Sequence, residues 1–220
     1  MIDNSKYKFL NFVDNHRIHL LLVNILTLVF IPPFLGEIPS LIDHFIKLEF
    51  LIIVIASYLI IRKIKTSRQI GYVTFVLIIA DTFFISDILN YLAQIGISYL
   101  VIHAFIMVLK EAMSFKGDAK NMILVSITGY LIIGLVGGFL AAGMEYIFPN
   151  SYYHSTGMIL DLYNFIYYSF VTMTTLGYGD IIPITNKSQA LALAQVISGQ
   201  LFLSVIIAIN IAKFMQTKLK

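Results

Sequence analysis

Between two long apolar runs the chain reads Asp161-Leu-Tyr-Asn-Phe-Ile-Tyr-Tyr-Ser-Phe-Val-Thr-Met-Thr-Thr-Leu-Gly-Tyr-Gly-Asp180-Ile-Ile-Pro183. Asp161 is suited to cap a helix over 162–173. That apolar and aromatic run is too brief to cross a membrane, so it is re-entrant or interfacial. Thr175-Leu176-Gly177-Tyr178-Gly179 cannot continue the helix. The two alternating glycines open torsion regions closed to residues with a Cβ, so successive carbonyls can point the same way. Aligned carbonyls inside a membrane are costly unless something positive faces them. Four such strands around an axis would offer rings of oxygen in place of a cation's water shell, with the Thr175 hydroxyl adding an inner ring. The short helix would aim its negative C-terminal end at the same centre.

The rest of the chain supplies the membrane that this stretch requires. Of 220 residues 59% are hydrophobic and only 27 are charged, 15 basic and 12 acidic, whereas a soluble surface takes about a quarter of all residues as charged ones. This excludes a cytosolic enzyme, a nucleic-acid-binding domain and a disordered linker. The absence of cysteine excludes disulfide frameworks and thiolate metal sites. Runs near the length needed to cross about 30 Å of hydrocarbon fall at 18–35, 44–61, 70–89, 91–109, 122–144 and 188–212. Pro32 and Pro33 mark an end or kink in the first.

With six spans, 13 of the 15 basic residues lie on one side and only Lys47 and Lys187 on the other. The positive-inside rule then makes both termini cytoplasmic. The expected fold is an all-α membrane protein: a segment 1–17, a four-helix module 18–110 and a pore module 111–213 with helix 162–173 and loop 174–180. A tail 214–220 follows. No cleavage pattern follows the first apolar run, so that run is expected to be retained.

Thr172-Met-Thr-Thr-Leu-Gly-Tyr-Gly-Asp180 resembles the filter of tetrameric potassium channels, which usually has Val where this chain has Leu176. The resemblance extends more weakly to the six-span, voltage-gated-like plan. It implies that Thr174, Thr175, Leu176, Gly177, Tyr178, Gly179 and Asp180 form a K⁺ selectivity filter. The permeant ion would sit at the oxygens of Thr175, Leu176, Gly177 and Tyr178. It also implies that Tyr167, Tyr168, Thr172 and Glu145 support the filter, and that four copies assemble. K⁺ is the cargo, no organic cofactor or nucleic acid is implied, and short loops suggest a prokaryotic plasma membrane. The alternatives are a non-selective cation pore, a non-conducting channel subunit, or a glycine turn that merely ends a helix.

On the last span Gly199 stands where the family commonly has a bending glycine. Leu203, Ile207 and Ile211 follow at four-residue steps and are expected to line a cavity that closes by dewetting. Simple packing of Gly199 against a neighbour is the plainer reading. Span 91–109 carries no Lys or Arg, so little voltage dependence is expected through it. Asp81 and Asp87 of the third span and His103 of the fourth are ionisable. Asp81 and His103 are candidates for an intramembrane pair responding to pH, and a satisfied core network is the alternative.

Overall fold

The computed structural model describes residues 18–35, 39–61, 65–83, 87–113 and 119–218. The N-terminal segment 1–17 and the last two residues of the tail lie outside the described residues. The chain divides into two compact units, Met1–Gly117 and Asp118–Lys220.

The first unit holds α1 (Ile18–Phe30), α2 (Pro39–Ile61), α3 (Lys65–Phe83) and α4 (Asp87–Met113). A single 3-10 turn, Pro32–Phe34, follows α1, because proline removes the amide the helix would need next. Leu21, Ile25 and Leu28 of α1, Ile53 of α2 and Ile97, Leu100, Val101 and Ala104 of α4 are fully buried, so one apolar stripe per helix forms the core. Of the run 70–89, α3 is described to Phe83 and α4 from Asp87.

The second unit holds α5 (Ala119–Ile147), β1 (Tyr152–His154), α6 (Leu162–Met173), β2 (Ile181–Pro183) and α7 (Asn186–Lys218). Helix α6 packs on both α5 and α7. A Cβ on Gly138 would lie 2.8 Å from the Ile166 Cα, so only glycine lets α5 pass this close to the backbone of α6. Helices α5 and α7 run beyond the expected 122–144 and 188–212, because helical hydrogen bonding continues through polar ends where apolar runs stop. At 1.5 Å per residue the 33 residues of α7 make a rod of about 50 Å.

The fold is all-helical apart from one short ladder, in which β1 and β2 pair antiparallel, with Tyr152 opposite Pro183, Tyr153 opposite Ile182 and His154 opposite Ile181. Tyrosine and isoleucine favour the pleated surface. Among the described residues two helices are long and apolar enough to cross a membrane, Ile123–Ile147 and Asn186–Ile209. The first unit has shorter apolar stretches, Ile18–Phe30, Gln69–Ala80 and Ile95–Ala104. Asp81 and Gln94 border two of them.

Candidate functional site

Helix α6 aims its C-terminus at the loop that carries the glycine motif. Its start is fixed by the Asp161 carboxylate, which accepts the Asn164 amide at 2.8 Å, as the sequence led one to expect. Its end is fixed by the loop itself. The Thr174 amide donates to the Phe170 carbonyl (3.0 Å) and the Thr175 amide to Thr172 (3.0 Å). Leu176 and Gly177 both donate to Val171, at 3.0 and 3.2 Å. Carbonyls that a helix end leaves open are thus taken by amides of the following loop.

Backbone torsions complete the pattern. Thr175, Gly177 and Gly179 have φ of 63°, 57° and 78°, while the intervening Leu176 and Tyr178 are not in the positive region. The amides of Thr174 to Gly177 face the end of α6, and alternation of hand along 175–179 is a backbone setting in which successive carbonyls can point alike. Among the described residues no donor reaches the carbonyls of Thr174 to Gly179. The result is a row of backbone oxygens left open along 174–179. Sequence reasoning anticipated the two glycines but not Thr175, since a β-branched residue seldom takes positive φ.

The mouth of the loop is held by Asp180. Tyr167 donates its hydroxyl to the Asp180 carboxylate at 2.7 Å, and the Asp180 carbonyl accepts the Ser155 amide at 2.8 Å. Burial, then the hydrogen bond and charge of Asp180, push the Tyr167 phenol up to about 12. Tyr168 points elsewhere: it is buried, and its ring lies edge-on to Tyr152 at 5.2 Å. Tyr178 is 67% exposed on its own chain. The two tyrosines expected to brace it therefore do different work, one tying Asp180 and the other packing beneath the small sheet.

Glu145 supports this outer layer from α5. Its carboxylate accepts the amides of Asn150 (2.8 Å), Ser151 (2.8 Å) and Tyr152 (3.0 Å), fixing the turn that leads into β1. Burial, followed by the nearness of Tyr168 and Glu145, raises the pKa of the Tyr152 phenol. Thr185 and Ser188 cap α7 reciprocally: the Thr185 amide donates to Ser188 Oγ (3.1 Å) and the Ser188 amide to Thr185 Oγ1 (3.3 Å). Ser188 Oγ also lies 2.8 Å from the Ser151 carbonyl, linking α7 to the same turn.

Behind the loop lies a buried polar contact that the sequence did not reveal. Ser169 donates to the Gly134 carbonyl of α5, and Gln195 of α7 donates to both the carbonyl (2.9 Å) and the hydroxyl of Ser169. All three helices of the unit meet there. Gly199 also serves contact: a Cβ on it would lie 2.4 Å from Met173 Cγ. Helix α7 runs unbroken past it. Leu203 is half-buried, whereas Ile207 and Ile211 are 54% and 56% exposed. Four-residue steps drift by about 40° each on a 3.6-residue helix, so the face of Gly199 is not the face of Ile211.

In the first unit His103 is half-buried and meets Tyr99 edge-on at 5.8 Å. Asp81 lies in the last turn of α3, and its side chain, like that of Asp87, lies outside the described residues. The carboxylate that is buried here is Glu49 of α2, 6% exposed and hydrogen-bonded by the Asn24 amide. An acidic residue inside an otherwise apolar run was the signal for it.

Residues 125–216 match a protein-family model described as "Ion channel". The matched segment takes in most of α5, the sheet, α6, the carbonyl row and α7. The match supports a cation-channel family for the second unit. No curated protein matches the chain.

Proposed function

We propose that the protein is a potassium-selective channel, built of four identical chains that pass K⁺ down its gradient through the row Thr175 to Tyr178. One observation carries the reading: alternate residues 175, 177 and 179 share positive φ, leaving one side of the backbone as unshared oxygen. One chain supplies one row, and a single row cannot surround an ion, so fourfold closure follows. Helix α7 agrees, since Leu193, Ile197, Leu201 and Val205 are each at least 54% exposed. So broad an apolar surface needs other chains or lipid to cover it.

Six spans remain the reading for the whole chain, with both termini cytoplasmic in a prokaryotic plasma membrane. Segregation of the basic residues supports it. Leu176 contributes its carbonyl and changes only the packing behind the row. Bi-ionic reversal potentials in bilayers with K⁺ opposite Na⁺ test the proposal. Strong preference for K⁺ is expected, and equal permeability would overturn it.

A further inference from the structure

Between α2 and α3 lies an apolar groove of about 210 Å³, lined by Val54, Ile55, Tyr58, Gly71, Tyr72 and Phe75. Its lining changes along its length. Near the α2–α3 connection the two tyrosines stand together, with hydroxyl oxygens 3.3 Å apart and ring centres 5.7 Å apart. One turn further from that connection it is lined by Val54 and Ile55 of α2 and Phe75 of α3. Tyrosine pairs a greasy ring with a polar tip and gathers at the boundary between hydrocarbon and water. The groove therefore has an interfacial end and a hydrocarbon end.

The interfacial end adjoins the densest basic stretch of the chain: Arg62, Lys63, Lys65 and Arg68 fall within seven residues. Lys65 and Arg68 are in the first turn of α3, and Lys65 is exposed. Lys65, Arg68, Tyr72 and Phe75 stand at i, i+3, i+7 and i+10, on one stripe of that helix. Positive charge, then tyrosine, then aliphatic wall is the order in which a phospholipid presents phosphate, ester region and chain. Anionic lipid enriched in the cytoplasmic leaflet attracts such basic clusters.

We infer that this groove is a binding site for an anionic phospholipid, with one acyl chain between α2 and α3 and the headgroup phosphate against the first turn of α3. The inference rests on the membrane placement of the first unit proposed above, though not on ion selectivity.

The chain contains no tryptophan, so Phe75→Trp supplies a single fluorophore in the groove, and Tyr72→Trp a second choice if the first fails to fold. The full-length protein is reconstituted in vesicles containing brominated phosphatidylglycerol or brominated phosphatidylcholine, and quenching is measured. Brominated phosphatidylglycerol is expected to quench position 75 with an affinity roughly tenfold to thirtyfold above the zwitterionic lipid, the worth of two basic residues at a surface. Lys65→Gln with Arg68→Gln should abolish that preference. Val76→Trp, exposed and outside the lining, should show none. Equal quenching by the two lipids at position 75, or a preference that survives loss of both basic residues, overturns the site alone. No quenching by either lipid overturns both the site and the membrane placement of this unit. Neither result bears on the reversal potentials, which decide selectivity separately.

Discussion

Thr175 is held at φ 63°, a setting that costs a residue with a Cβ on the order of 1–3 kcal/mol. It persists because its amide and those of its neighbours are committed to carbonyls of α6. At Gly177 the same setting is free of that cost. Gly177→Ala adds about 1–2 kcal/mol per chain, applied at the one place where the oxygens must stay aligned. The variant is expected to assemble with lost K⁺ preference, which rubidium and sodium flux into vesicles would register. Retained preference would remove the torsional account of the row.

Tyr167 gives a prediction in pH. Its phenol, raised by burial and by Asp180 to about 12, has a folded value above its unfolded one. Stability from the neutral phenol is therefore complete below pH 10, the ordinary value, and is lost as pH climbs through about 12. Melting temperature is expected to be flat from neutrality to just below pH 10 and to fall beyond it. In Tyr167→Phe melting is expected to be lower at neutral pH, by about 1 kcal/mol per chain after allowance for solvent at the mouth. The alkaline drop should be smaller in that variant, and an unchanged drop would detach Tyr167 from it.

Among elements, α6 is gripped from both sides at Ser169. Ser169→Ala removes the bond to the Gly134 carbonyl and one of the two bonds from the Gln195 amide in a buried setting, at about 1–3 kcal/mol. Gln195→Leu should cost a similar amount. Because the groups share one network, the double variant is expected to fall short of the sum by about 0.5–3 kcal/mol. Thermal denaturation of the four proteins measures this, and strict additivity would show the contacts to be independent.

Helix α6 itself could be read from the sequence end to end, since an aspartate cap and a glycine-bearing stop are local signals. The three-residue strands could not, because pairing between residues thirty positions apart leaves no periodicity in so short a run. Ser169 and Gln195 were illegible as a pair, since each alone reads as an ordinary polar residue on a helix.

For the whole molecule, charge placement sets the expectation about electric fields. A unit charge carried across the full field is worth about 2.3 kcal/mol per 100 mV. Helix α4 has no Lys or Arg before Lys110. Conductance is therefore expected to change little with voltage through this helix. Currents recorded over a voltage ramp would test it, and a steep curve flattened by substitutions in α4 would refute it. Segregation of basic residues could be read at this scale from the sequence, because it depends on counting. Whether the polar residues of the first unit interrupt its spans depends on packing, and counting does not reach that.

The Val171 carbonyl takes two amides of the row, Leu176 and Gly177, and this makes α6 a tiller. Any tilt of that helix swings the oxygens with it, since the same atom steers both peptide planes. Pressure at distant points where α6 rubs its neighbours, Ile166 on Gly138 or Met173 on Gly199, would thus retune the spacing of the row, which on the proposed reading is what an ion meets.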